Sequence, residues 1–226
     1  MSHFTVAVLT KDPDGDVERL LSPYHEFECT GTDEFVEDID ETDEAREKWV
    51  PVKEGKTFLQ FCKSYYNYPV VPIGEEPDRD NTHKYGFITL DENGEVASCI
   101  NRTNPNAKWD WYVIGGRWTG LLHLKPGTSG ISGEPGVMTP PNTDPAKADI
   151  ALLSNVDFEG MGKVGESITF AFITPDGEWV GPGRMGWFGM SDATDESRQE
   201  YNDKWNQALS TIDHDKTYVV IVDCHI

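Results

Sequence analysis

Phe4-Thr-Val-Ala-Val-Leu-Thr10 near the start and Thr217-Tyr-Val-Val-Ile-Val-Asp223 near the end decide the fold. Both runs are β-branched or apolar at almost every position, which is the pattern of a strand buried on both faces. The two ends of the chain are therefore expected in the interior of one sheet. Between them the pattern alternates. Short helices are expected at 17–21, through the acidic stretch toward Pro51, and at 58–66, where Phe58, Phe61, Cys62 and Tyr65 share a helical face. Lys84-Tyr-Gly-Phe-Ile-Thr-Leu90, Asp91-Glu-Asn-Gly94 and Glu95-Val-Ala-Ser-Cys-Ile100 read as strand, turn and strand. A further strand is expected at 119–124. A second hairpin is expected around Pro175-Asp-Gly177, and a helix over 197–209 with Tyr201, Trp205, Ala208 and Leu209 inward and Thr194 or Asp195 as its cap. This order predicts an α+β fold of ferredoxin-like character, with an antiparallel-rich sheet, helices on one face and long insertions.

The 226 residues allow one sizeable core, and a single domain over 1–226 is expected. It would carry an acidic insertion around 33–50 and a Gly/Pro-rich loop around 125–149, either a flap over a ligand or plain disorder. Hydrophobic residues are 37% and aromatics 11% of the chain, with a mean hydropathy of −0.53. The net charge is −21, from 40 acids and 19 bases. Such a field repels nucleic acid and anionic membrane, so direct nucleic-acid binding is not expected, whereas mimicry of DNA by the acidic stretch is physically open. No apolar run is long enough for a membrane span and the N-terminus lacks a signal-peptide pattern, so a cytoplasmic protein is expected. A homo-oligomer is compatible with the sequence.

The four cysteines, Cys29, Cys62, Cys99 and Cys224, show no paired spacing and are expected as free, mostly buried thiols. Asp12-Pro-Asp-Gly-Asp16 places its glycine too early for a calcium loop and reads as a turn. His214 between two aspartates reads as a solvated turn. No metal site and no cofactor are expected.

The chemistry concentrates in Asn104-Pro-Asn-Ala-Lys-Trp-Asp-Trp-Tyr-Val-Ile-Gly-Gly-Arg-Trp118. Flat rings stack on flat ligands, glycines let a backbone N–H approach closely, and an arginine fork grips phosphate. Trp109, Trp111, Tyr112 and Trp118 are the candidate stacking surfaces, Gly115 and Gly116 the candidate backbone donors, and Arg117 the candidate phosphate holder. Strand alternation would send Trp109, Trp111 and Val113 to one face, and Asp110, Tyr112 and Ile114 to the other. A core strand whose tryptophans pack on helices is the competing reading. Gly181-Pro-Gly-Arg-Met-Gly-Trp-Phe-Gly189 repeats the chemistry, so Arg184 and Trp187 are expected as a second wall of the same pocket, or as a surface loop. The ligand expected there is a nucleotide-like small molecule. If the pocket is instead a hydrolase site, His25 with Glu26 or Glu28 is the candidate acid–base group, against the plainer reading of a surface histidine.

Three motifs together resemble a family of uncharacterised proteins from bacteriophages and prophage-bearing bacteria: Met1-Ser-His-Phe-Thr-Val, Pro23-Tyr-His-Glu-Phe-Glu and the 104–118 run, with Lys108-Trp-Asp-Trp-Tyr and Ile114-Gly-Gly-Arg-Trp its most specific blocks. The resemblance implies a phage setting and a place in the host cytoplasm. Small acidic proteins there disarm host defences by sequestering nucleotide signals or by mimicking DNA. It implies no activity and no catalytic residue.

Overall fold

The computed structural model describes residues 2–30 and 33–226, and its architecture is α+β. The chain opens with β1 (His3–Thr10) and α1 (Val17–Leu21). It continues through α2 (Phe27–Thr30), β2 (Glu37–Asp40), α3 (Thr42–Trp49), α4 (Phe58–Tyr65), β3 (Gly86–Leu90) and β4 (Val96–Thr103). Then come β5 (Trp111–Gly116), β6 (Leu122–His123), β7 (Glu134–Pro135), β8 (Lys147–Ala148), β9 (Ile150–Leu152), β10 (Ala171–Ile173), β11 (Trp179–Val180), α5 (Asp195–Thr211) and β12 (Tyr218–His225). Two compact units result: Met1–His25 with Lys108–Ile226, and Glu26–Ala107.

The first unit is built on a sheet of order β11-β10-β1-β12-β5-β7, with β9 also paired to β12. β1 and β12 form an antiparallel ladder from His3↔His225 to Thr10↔Tyr218. One edge of β12 is shared along its length by β9 and β5, and β10 runs parallel to β1. The two apolar terminal runs are thus central strands, buried on both faces. Ala7, Leu9, Val219 and Ile221 point into one core cluster, with Tyr201 and Trp205 of α5 packed over them. Val6, Val8, Val220 and Val222 point into the other, against Leu20 and Leu21 of α1. The long helix therefore covers one face, and the five-residue α1 packs on the opposite one.

α5 starts where its signals direct. Thr194 accepts from the Ser197 N–H, and Ser197 reaches back to the Thr194 N–H in a reciprocal cap. Burial pushes the Tyr201 hydroxyl up to about 12, against the opposing pull of its bonds to Ser167 and Thr169. The 125–149 segment carries β7 and β8. It is tied down by Asp149, which is fully buried and accepts from Thr119 Oγ1 at 2.9 Å and from the Gly120 and Gly133 N–H groups at 2.6 and 2.7 Å.

The second unit is the antiparallel sheet β2-β4-β3 with α3 and α4 against it. Its core joins Ala45, Phe58, Phe61, Cys62, Ile88, Val96 and Cys99. The acidic 33–50 stretch supplies its edge strand β2 and helix α3, because Ile39, Thr42 and Ala45 turn inward while the acids stay solvated. Tyr65, expected inward, is exposed and lies stacked on Phe61 at the rim. Burial raises the Cys62, Cys99 and Cys224 thiols, Cys99 to about 12, so these three are poor nucleophiles. The Cys29 side chain lies outside the described residues. No helix of the described residues is long and apolar enough to cross a membrane.

Burial of Asp38 opposes its ionisation, but hydrogen bonds from Arg79 and Arg102 outweigh that and hold its carboxyl below the ordinary 3.8. A lowered folded value means a contribution to stability that is complete above pH 3.8 and lost as pH falls through the lowered value. Asp38→Asn should be less stable than the parent at pH 6, and the difference should shrink below pH 3.8 in urea titrations followed by circular dichroism. Trp205→Ala, which empties a site 1% exposed, should cost about 3–5 kcal/mol by the same measurement at neutral pH.

Candidate functional site

The face of the first unit's sheet that carries α5 is apolar at one end and polar at the other. Along β12 the inward positions run Val219, Ile221, Asp223, His225, and along β1 they run Leu9, Ala7, Thr5, His3. Register sets His225 between His3 and Trp111, and Asp223 between Thr5 and Val113. α5 packs on the apolar half. Over the polar half lies a cavity of about 570 Å³, floored by His3, Trp111, Val113 and Asp223 and walled by the 134–139 segment. That volume is in the range of small-molecule sites.

Three rings meet at this floor: His3 and Trp111 line it, and His225, 5% exposed, lies between them. His3 and His225 meet edge to face with centroids 4.9 Å apart, His225 stacks on Trp111 at 5.1 Å, and His3 meets Trp111 at 5.2 Å. His3 Nδ1 donates to Asp223 Oδ1 at 2.7 Å, and His225 Nδ1 donates to the Asp110 carboxylate at 2.7 Å. Asp223 is 1% exposed and also accepts from the Arg117 N–H at 2.9 Å. A buried carboxylate needs such partners, since desolvation otherwise costs several kcal/mol.

The aromatic run divides. Trp111 is 44% exposed and borders the cavity, as does Arg117, whose guanidinium has no side-chain partner among the described residues. Trp109 is core. It lies before the strand, stacks on His25 with centroids 3.9 Å apart, and donates its Nε1–H to the Leu21 carbonyl. It packs in the same cluster as Tyr112, with the two rings 5.2 Å apart, on the face opposite Trp111. The alternation expected through Trp109 fails because regular pairing to β12 begins only at Trp111. Asp110, expected beside Tyr112, instead turns to His225. Trp118 is half-buried against the other core cluster.

Gly115 and Gly116 serve close approach of the chain's own carboxylates. A Cβ on Gly115 would lie 2.8 Å from Asp149 Oδ2, and one on Gly116 would overlap the Asp223 side chain. Gly116 also sits at φ +58°, where L side chains are strained. The turn they make is what swings Arg117 to the cavity rim.

Arg184 is exposed and borders no part of this cavity. Its N–H donates to Asp192, and the Trp187 side chain lies outside the described residues. The second wall comes from 134–139, where Val137 and Met138 are almost fully exposed. His25 is held as a structural group, its Nε2–H donating to the Asp110 carbonyl at 2.6 Å, while Glu26 and Glu28 belong to the second unit and Glu28 is exposed on α2. Among the described residues, no three His, Cys, Asp or Glu side chains converge as a metal site requires.

His3, His225 and Asp223 are the site residues that sequence reasoning missed. The signal was present: an acid and a histidine at odd positions of an apolar strand point to the same face as its core residues. Asp223 read instead as the strand's boundary. No family model matches the chain, and no curated protein or solved structure matches it either.

Gly116→Ala should cost about 1–3 kcal/mol through positive φ and the clash with Asp223, measured by urea unfolding. Gly127→Ala, also at positive φ but with open space around its Cβ, separates the two effects and should cost less.

Proposed function

We propose that the cavity binds a nucleotide-derived small molecule and, in the phage setting that the resemblance implies, depletes it from the host cytoplasm. The observation that carries this reading is one cavity of about 570 Å³ bordered both by a 44% exposed tryptophan and by an arginine with no side-chain partner among the described residues. Base-on-indole stacking at Trp111 is worth about 1–3 kcal/mol. The Arg117 fork suits a phosphate, and it supplies local positive charge in a chain of net charge −21. Val137 and Met138 offer an apolar cover on the opposite side, a use common for exposed loops that close on ligands.

The purified protein is to be incubated with extract of phage-challenged bacteria and heat-denatured, and the released small molecules identified by mass spectrometry. Recovery of a nucleotide derivative, intact or as its cleavage product, supports the reading. With the identified compound, Trp111→Ala should weaken binding roughly 10- to 100-fold. Arg117→Ala should abolish measurable binding while the circular dichroism spectrum is unchanged. Parental affinity in both folded variants would sink the assignment.

A further inference from the structure

The floor of the cavity, and the imidazole packed against it, hold more chemistry than binding requires. His3 and His225 are cross-strand partners, and each gives its Nδ1 to a separate carboxylate, Asp223 at 2.7 Å and Asp110 at 2.7 and 2.9 Å. A carboxylate only accepts, so each Nδ1 carries the proton, and in the neutral ring Nε2 is left as the basic lone pair. Neither Nε2 has a protein partner among the described residues, and neither is sealed from solvent as the unpartnered His83 Nε2 is. His3 borders the cavity directly, and His225 lies between it and the exposed Trp111. An indole and an arginine suffice to hold a nucleotide. Two adjacent imidazoles, each oriented by its own carboxylate, are suited to paired proton transfer.

We infer that this pocket cleaves ribonucleotide phosphodiester bonds, with His3 as base and His225 as acid, an inference that rests on the nucleotide-binding reading of the same pocket. The neutral His3 Nε2 takes the proton of a ribose 2′-hydroxyl. The 2′-oxygen attacks the neighbouring phosphorus, and the P–O2′ bond forms as the P–O5′ bond breaks. The leaving 5′-oxygen takes its proton from the His225 imidazolium. The products are a 2′,3′-cyclic phosphate and a 5′-hydroxyl, with no water consumed and no redox change. His3 ends charged and His225 neutral, and proton exchange with solvent resets both. Arg117 faces the charge that builds on the phosphate oxygens. Asp223 and Asp110 are positioning residues, which hold the rings and their tautomers.

The test uses the whole protein and the ribodinucleotide UpA, with products read by liquid chromatography and mass spectrometry and binding read by tryptophan fluorescence. Uridine 2′,3′-cyclic phosphate and adenosine should form from UpA and not from its 2′-deoxy analogue. His3→Gln and His225→Gln should each slow cleavage by on the order of 100-fold or more while UpA still binds. The parental rate should trace a bell against pH, because one imidazole must be neutral and the other charged among Asp110, Asp223, Glu134 and Arg117. Each variant should lose one limb of that bell. UpA that binds without being cleaved overturns this inference alone, as does equal cleavage of the deoxy analogue or full activity in both variants. UpA that fails to bind overturns the binding reading with it. The deoxy comparison needs no variant, so it stands even where a glutamine substitution impairs folding.

Discussion

The antiparallel ladder between β1 and β12 is the constraint on which the first unit depends. It runs from His3↔His225 to Thr10↔Tyr218 and joins the two ends of the chain. Because strand side chains alternate, the ladder fixes which residues meet on each face. A one-residue slip would send Ala7 and Leu9 away from Trp205 and would part His3 from His225. The same register that completes the core therefore assembles the polar end of the sheet. The parallel strand β10 on one side, and β9 and β5 on the other, then pair to strands already committed.

Buried carboxylates are the second organising element. In a chain of net charge −21, Asp149 and Asp223 are taken out of water, at 0% and 1% exposure. Asp149 accepts from the Gly120 and Gly133 N–H groups and Thr119, and Asp223 from the Arg117 N–H and the His3 ring. This explains why the Gly-Gly pair precedes Arg117. Only residues without a Cβ can pass so close to both acids, and that passage sets Arg117 at the rim of the cavity. Asp149 does the same for the 125–149 segment, which is held as a wall by a few hydrogen bonds and carries little core of its own.

Much of the secondary structure was legible from pattern. The terminal runs follow from their unbroken apolar character, the 84–100 hairpin from strand residues around a turn, and the aromatic face of α5 from a period of 3.6, and Thr194 was readable as a cap. The site was legible only in part. Trp111 and Arg117 carry chemistry that composition alone points to. Trp109 and Tyr112 carry the same chemistry but are committed to the core, because a tryptophan is equally suited to stacking on a ligand and to filling a cluster. His25, beside two glutamates in sequence, is spent on Trp109 and the Asp110 carbonyl.

By itself the sequence determined that this is an α+β protein with both terminal runs in a sheet interior, since runs β-branched or apolar at almost every position fit strands buried on both faces. It also determined the strong negative field. Only the tertiary structure decided that His3 and His225, 222 positions apart, meet ring to ring beside Trp111 at the cavity. Local patterning reports which face a side chain takes within its own element. Which elements then lie side by side is decided by long-range pairing, which leaves no mark in any short window of residues.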